Sequence, residues 1–231
     1  MRAAVFYMDA KEYLSIRKAY NLVRQGEDKA ERLSFSEFSI LCRLANCEGG
    51  MRTSDIADYQ HVLRPTMTHR TKHLAAQGLI IRDQGSADKR NIFCSISERG
   101  LEVADSLCEK TRSSIKPTEP LSRTTAMRVR AYVDAMGSIS CDASELILLG
   151  IKSLGGGAHT ISELVGSLGL LQPTVSMSVS ALEEEGYVER LGKSRHGFRV
   201  GLTEQGREIA DDIESEINAL VVRRRRRGGQ E

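Results

Sequence analysis

Seven side chains that can bind a polyanion or bond to base edges crowd one short stretch. Arg64, Thr66, Thr68, His69, Arg70, Lys72 and His73 fall within ten residues, with no acid among them. Lysine and arginine neutralise phosphates and can pair with the acceptors of guanine, while threonine hydroxyls bond phosphates or bases. Lys89 and Arg90 add a second cationic point downstream. The bland alternative is a solvated basic helix face with no ligand.

A second, different constellation follows. Gln172, Thr174, Ser176 and Ser178 offer hydrogen bonds without any cation, and the stretch closes on Glu183-Glu184-Glu185. Lys193, Arg195, His196 and Arg199 then cluster within a few residues. The alternative here is a segment that has lost nucleic-acid contact and serves for pairing or for a protein partner.

These two constellations occupy the same place in a duplicated pattern. Residues 54–80 read SDIADYQHVLRPTMTHRTKHLAAQGLI, and residues 162–188, 108 positions on, read SELVGSLGLLQPTVSMSVSALEEEGYV. Ser54 falls on Ser162, Leu63 on Leu171, Pro65 on Pro173, Thr66 on Thr174, Leu74 on Leu182 and Gly78 on Gly186. Further on, Ser97-Glu98-Arg99-Gly100 matches Thr203-Glu204-Gln205-Gly206. The unit is far longer than a solenoid repeat, so a whole domain is duplicated.

Each unit reads as helices followed by a hairpin. Tyr13, Ile16, Tyr20 and Val23 recur at spacings of three and four, predicting a helix from about Asp9 to Arg32. Ser34 with Glu37 predicts a capping box opening the next helix. A short helix from Ser54 then leads to a second from Arg64 to Gln77, with Pro65 in its first turn and Gly78 as its stop. Leu79–Arg82 and Ile92–Ile96 form the hairpin, and Glu98–Ser113 the closing helix. After a proline-bearing linker, the second unit predicts helices at 124–137, 142–154, 161–168 and 172–185, strands at 187–191 and 198–202, and a last helix from Glu204 to about Val222. The domains are therefore 1–115 and 123–222, with a linker at 116–122 and a disordered basic tail at 223–231. The five arginines of that tail read equally as a phosphate-binding arm or a solubilising end.

Bulk properties narrow the class. With 40% hydrophobic and 28% charged residues the chain is globular rather than disordered. A net charge of +2 makes no argument for nucleic acid, so the argument rests on local clusters. No stretch approaches a membrane span, the first residues do not form a secretion signal, and five scattered cysteines suit a reducing compartment, so a cytoplasmic location is expected. Cys42 and Cys94 fall in apolar strips and read as small core residues rather than redox sensors. No metal-ligand spacing, nucleophile triad or phosphate-cradling loop stands out, so neither an enzyme nor a metal or cofactor is expected.

Asp88-Lys89-Arg90-Asn91-Ile92-Phe93-Cys94-Ser95-Ile96-Ser97-Glu98-Arg99-Gly100 resembles the wing signature of the MarR family of bacterial transcription regulators. By that resemblance Asp88 supports the wing and Arg90 probes a minor groove. The second copy keeps Leu202-Thr203-Glu204-Gln205-Gly206 but has Ser194 and His196 where the aspartate and arginine would stand, leaving Arg195 as substitute probe. The chain is similar to a fused minority type of the family. The resemblance implies a mainly α fold with small β hairpins: two tandem winged helix-turn-helix domains paired as a pseudo-dimer through their outer helices. It further implies binding of double-stranded DNA at an imperfect palindrome by a monomeric pseudo-dimer, with a homodimer as the alternative, and the family often takes a small-molecule effector. The rival reading is a protein-interaction module with vestigial DNA contact.

Overall fold

The computed structural model describes residues 6–84, 92–194 and 197–222. The first copy runs α1 (Ala10–Gly26), α2 (Phe35–Asn46), β2 (Met51–Arg52), α3 (Thr53–Tyr59), α4 (Arg64–Ala76), β3 (Ile80–Gln84), β4 (Ile92–Ile96) and α5 (Glu98–Ser114). The second repeats it as α6 (Ala126–Met136), α7 (Ala143–Ser153), β5 (His159–Thr160), α8 (Ile161–Leu168), α9 (Gln172–Glu184), β6 (Val188–Ser194), β7 (Gly197–Leu202) and α10 (Glu204–Asn218). Two further short strands, β1 (Phe6–Tyr7) and β8 (Val221–Val222), pair with each other, antiparallel. The three-stranded sheets have the same order in both copies, β2-β4-β3 and β5-β7-β6. The fold is thus the expected one, two winged helix-turn-helix units rich in helix.

Local chemistry sets the element ends. Ser34 caps α2 in the expected box, its Oγ accepting from Glu37 N while its own N–H donates to Glu37 Oε2 at 2.8 Å. Asp9 with Glu12, Asp142 with Glu145 and Thr160 with Glu163 repeat the device on α1, α7 and α8. Two helix ends fall short of expectation. Helix α1 stops at Gly26 rather than Arg32, because the chain folds back and Arg32 Nε donates to Glu27 O at 2.9 Å. Helix α10 stops at Asn218 rather than Val222, because Val221 and Val222 take the open edge that Phe6 and Tyr7 offer. β-branched valines suit that extended pairing. The residues of β5 fall on Met51 and Arg52 of the first copy, so the short third strand belongs to the duplicated unit.

The repeated Ser/Thr-Glu-x-Gly motif has a physical cause. Ser97 Oγ donates to Gly78 O at 2.7 Å and accepts from Gly100 N at 2.9 Å; Thr203 Oγ1 does the same with Gly186 O and Gly206 N, at 2.7 and 3.1 Å. One hydroxyl therefore joins the stop of α4 or α9 to the start of α5 or α10. A Cβ at Gly100 or Gly206 would collide with the carbonyl oxygen of Leu79 or Tyr187.

The N-terminal helix of each copy crosses to the other copy. Helix α6 packs on α2 and α5, while α1 packs on α5 and also on α7, α8 and α10. Tyr13 Oη donates to Ile139 O at 2.7 Å and accepts from Cys141 N at 3.2 Å. Asp134 on α6 takes bonds from Asn46 at 2.8 Å and from Tyr59, with Arg43 at 3.5 Å. One core therefore contains Tyr13, Tyr20 and Phe38 of the first copy together with Tyr132, Val133, Met136 and Ile217 of the second. A separate core (Ile147, Leu164, Val175, Val179, Leu182 and Val200 among its residues) fills the second copy's helix-turn-helix and hairpin. Helix α10 lies chiefly on α7 and also touches α1, with Ala210, Ile213 and Ile217 among its buried residues.

Four of the five cysteines are buried and Cys47 is half-buried. The sulfurs of Cys42 and Cys108 lie 3.9 Å apart, and burial pushes the Cys42 thiol well up. Cys42 and Cys94 are both core residues. No single helix among the described residues is long and apolar enough to cross a membrane.

Candidate nucleic-acid interface

In each copy a short helix, a tight turn and a second helix form a helix-turn-helix. Helices α8 and α9 bend by 116° at their turn, within the range of a helix-turn-helix. The turn needs one left-handed residue. Gly169 supplies it in the second copy at φ +63°, and His61, at the same repeat position, supplies it in the first at φ 51°. Gly169 is under a second constraint, since a Cβ there would come 2.7 Å from Lys18 O. Around it, Asn21 Nδ2 donates to Leu168 O at 2.9 Å and Gln25 Nε2 to Gly169 O at 2.7 Å, so α1 of the first copy holds the turn of the second head.

Helix α4 buries Met67, Thr71 and Leu74 against its own head. Arg64, Thr66, His69 and Lys72 are exposed, and Thr68 is half-buried. The other two candidates of this helix are held by protein. Arg70 is half-buried and its Nη1 donates to Gln60 Oε1 at 3.1 Å; Gln60, buried, donates in turn to Ser36 O and Ser39 Oγ. Burial lowers the Arg70 guanidinium pKa, against an opposing pull from Glu37. His73 Nδ1 lies 2.6 Å from Glu37 Oε1, and its Nε2 lies 3.2 Å from Gln77 Nε2. Burial pushes the Glu37 carboxyl up, but hydrogen bonds from the Ser34 backbone and hydroxyl and from His73 outweigh it and hold it below its ordinary value.

The second head is electrostatically unlike the first. Gln172 is exposed, Thr174, Ser176 and Ser178 are half-buried, and Val175, Val179 and Leu182 face the core. Arg199 in β7 donates to Ala158 O at 2.9 Å and lies 3.9 Å from Glu163. Lys152 pairs with both Asp211 and Glu214. Asp88, Lys89, Arg90 and Arg195 lie outside the described residues, and of Lys193 only the backbone, in β6, is described.

Sequence reasoning missed Arg190. Its Nε lies 2.9 Å from Glu183 Oε2, its Nη2 donates to Ser180 Oγ at 2.9 Å, and its guanidinium stacks 4.3 Å over the Phe198 ring. It fastens β6 to α9. The repeat carried the signal, because Arg82 stands at the matching position just beyond the most similar stretch. There Lys72 and Ala75 replace Ser180 and Glu183, and Arg82 Nε and Nη2 are buried with no hydrogen-bond partner among the described residues.

Also missed was Arg17. It lines a cleft of about 490 Å³ between the first head and the interlocked helices, with Phe35, Gln60, Arg70 and residues 138–142 of the second copy. Arg17 is buried, donates from Nη2 to Cys141 O at 3.0 Å and stacks 4.2 Å over the Phe35 ring, leaving Nε and Nη1 with no partner among the described residues. It lay on the helix face that periodicity assigns to the core, where an arginine gives no separate signal.

Residues 33–92, from the entry to α2 through the first residue of β4, match the model of the MarR family. Residues 151–190, from the end of α7 into β6, match the model described as bacterial regulatory protein, arsR family. Among curated proteins none matches the chain. Of solved structures, BpsR of Bordetella bronchiseptica, whose DNA binding is regulated by 6-hydroxynicotinic acid, is 20% identical, covering 47% of this chain and 79% of its own, with a TM-score of 0.36. A MarR family protein from Bacillus stearothermophilus is 19% identical, covering 53% and 77%, with a TM-score of 0.31.

Proposed function

We propose that the chain is a DNA-binding transcription regulator of MarR type, with a helix-turn-helix in each half, and that one chain reads two unequal half-sites on double-stranded DNA. The observation that carries this is the outward face of α4. Arg64, Thr66, His69 and Lys72 point away from the buried Met67, Thr71 and Leu74, on the second helix of a helix-turn-helix. The first residues of such a helix reach base edges in the major groove.

In this reading Arg64 and Lys72 contact phosphate or guanine, and Thr66, Thr68 and His69 bond alongside. Arg70 and His73, tied to Gln60 and Glu37, set the helix on its head. Gln172, Thr174, Ser176 and Ser178 read the second half-site without charge. The wings reach the minor groove through Lys89 and Arg90, braced by Asp88, and through Lys193, Arg195 and Arg199. The fused copies act as a monomeric pseudo-dimer with heads roughly 34 Å apart, so the site is an imperfect palindrome. The 490 Å³ cleft supports a small-molecule effector, because its lining includes Arg17 of the interlocked helices and Arg70 of α4, the latter tied through Gln60 to α2. An occupant there would shift the head only as far as it favoured one head position over another.

The ion-paired cations of the second head favour the rival reading, in which that head docks a protein. Selection of bound duplexes from fragmented genomic DNA separates the two. Unequal half-sites about 10 base pairs apart are expected. Arg64→Ala and Lys72→Ala should each flatten the slope of log K against log salt by about 0.9. No enriched duplex at low salt overturns the DNA reading.

A further inference from the structure

Among the described residues, seven helices, α1, α2, α5, α6, α7, α8 and α10, open on an Asp, Ser or Thr whose side chain accepts from the first turn. Three do not: α3, which opens on Arg52, and the second helix of each helix-turn-helix. Helix α4 opens on Leu63 and α9 on Leu171, neither with a side-chain cap. A polar cap is normally worth about 1 kcal/mol to a helix, which a leucine forgoes. These leucines do not regain it by burial, since Leu63 is 77% and Leu171 53% exposed. The two stand at the same repeat position, so the same locally unfavourable choice occurs twice, both times at the end of the helix that meets the groove.

The second head carries a further such residue. Met177 is 74% exposed, one turn and a half along α9, while Val175, Val179 and Leu182 already fill the core face. Its repeat partner is His69, on the outward face of α4. The apolar residues therefore continue the polar reading face of each helix rather than forming a patch elsewhere. In the major groove the one feature that suits an aliphatic side chain is the C5-methyl group of thymine; the other groups there are hydrogen-bond donors and acceptors.

We propose that Leu63, Leu171 and Met177 are specificity-determining contacts that read thymine methyl groups, Leu63 in the first half-site and Leu171 with Met177 in the second. The proposal rests on the DNA-reading function above. It gives the cation-free second head a means of discriminating sequence that does not depend on charge.

The test uses the full chain and the duplex recovered by genomic selection, with thymines replaced singly by deoxyuridine, which removes only the methyl group. Burial of one methyl predicts a loss of about fourfold in affinity at one thymine or more in each half-site. Leu63→Ala should abolish that sensitivity in the first half-site, and Leu171→Ala or Met177→Ala in the second. All three variants should keep the wild-type salt slope, because a methyl contact releases no counterion. Equal binding of thymine and deoxyuridine duplexes, or sensitivity that survives in the alanine variants, overturns the methyl contact and leaves DNA binding standing. Failure to bind any duplex overturns both.

Discussion

The turn residue of each head shows how one backbone demand is met in two ways. His61 holds a left-handed conformation that costs a side-chain-bearing residue about 1–2 kcal/mol, and Gly169 holds it without that cost. His61→Gly is therefore expected to stabilise the chain, by less than about 1 kcal/mol after the extra freedom of glycine in the unfolded state is subtracted. Gly169→Ala is expected to destabilise it by more, because the new Cβ meets Lys18 O as well as the strained φ. Thermal melts of the two variants check both signs. Glu37 gives a pH signature. Its carboxyl titrates below its ordinary value of 4.5, so its contribution to stability is complete above that pH and is lost as pH falls through the depressed folded value. The stability gap between wild type and Glu37→Gln should be constant near neutrality and close below about pH 4.5; a gap that widens on acidification would contradict the assignment.

At the scale of elements, the hydroxyl that joins each reading helix to its closing helix is a cap and a brace at once. Thr203→Ala is expected to cost about 1 kcal/mol or somewhat more, since it removes the cap of α10 and the bond to Gly186 O together. Gly100→Ala should cost about 1–3 kcal/mol through overpacking against the Leu79 carbonyl. Urea denaturation of each variant measures these losses. Most elements were legible in the sequence because caps, glycine stops and the repeat agreed, as at Ser34 with Glu37 and at Gly78 with Gly186. What was not legible depended on distant partners. Val221–Val222 reads as the end of a helix until Phe6 and Tyr7 offer an edge. On the reading helices, sequence gave the types of Arg70 and His73 but not their direction, which Gln60 and Glu37 decide. Arg17 and Arg190 act through residues far along the chain or on another element, so spacing alone could not single them out.

For the whole molecule, the crossing of α1 and α6 ties the stability of the first head to the second copy. The shared core takes Tyr132, Val133 and Met136 from α6, so residues 1–115 alone would expose the faces of α2 and α5 on which that helix packs. Expressed alone, that fragment is expected to be unfolded or aggregated, and to recover structure when residues 116–231 are supplied. Sedimentation of the intact chain should give the mass of one polypeptide. A fragment 1–115 that dimerises and binds a true palindrome as tightly as the full chain would refute the fused pseudo-dimer. The pairing of β1 with β8 carries a different consequence. Phe6 lies opposite Val222, so the start and finish of the described fold are neighbours on one small sheet, while the covalent link between copies passes through residues 116–122 on its way from α5 to α6. Among the described residues the backbone is almost a closed ring, held shut by that two-residue pairing.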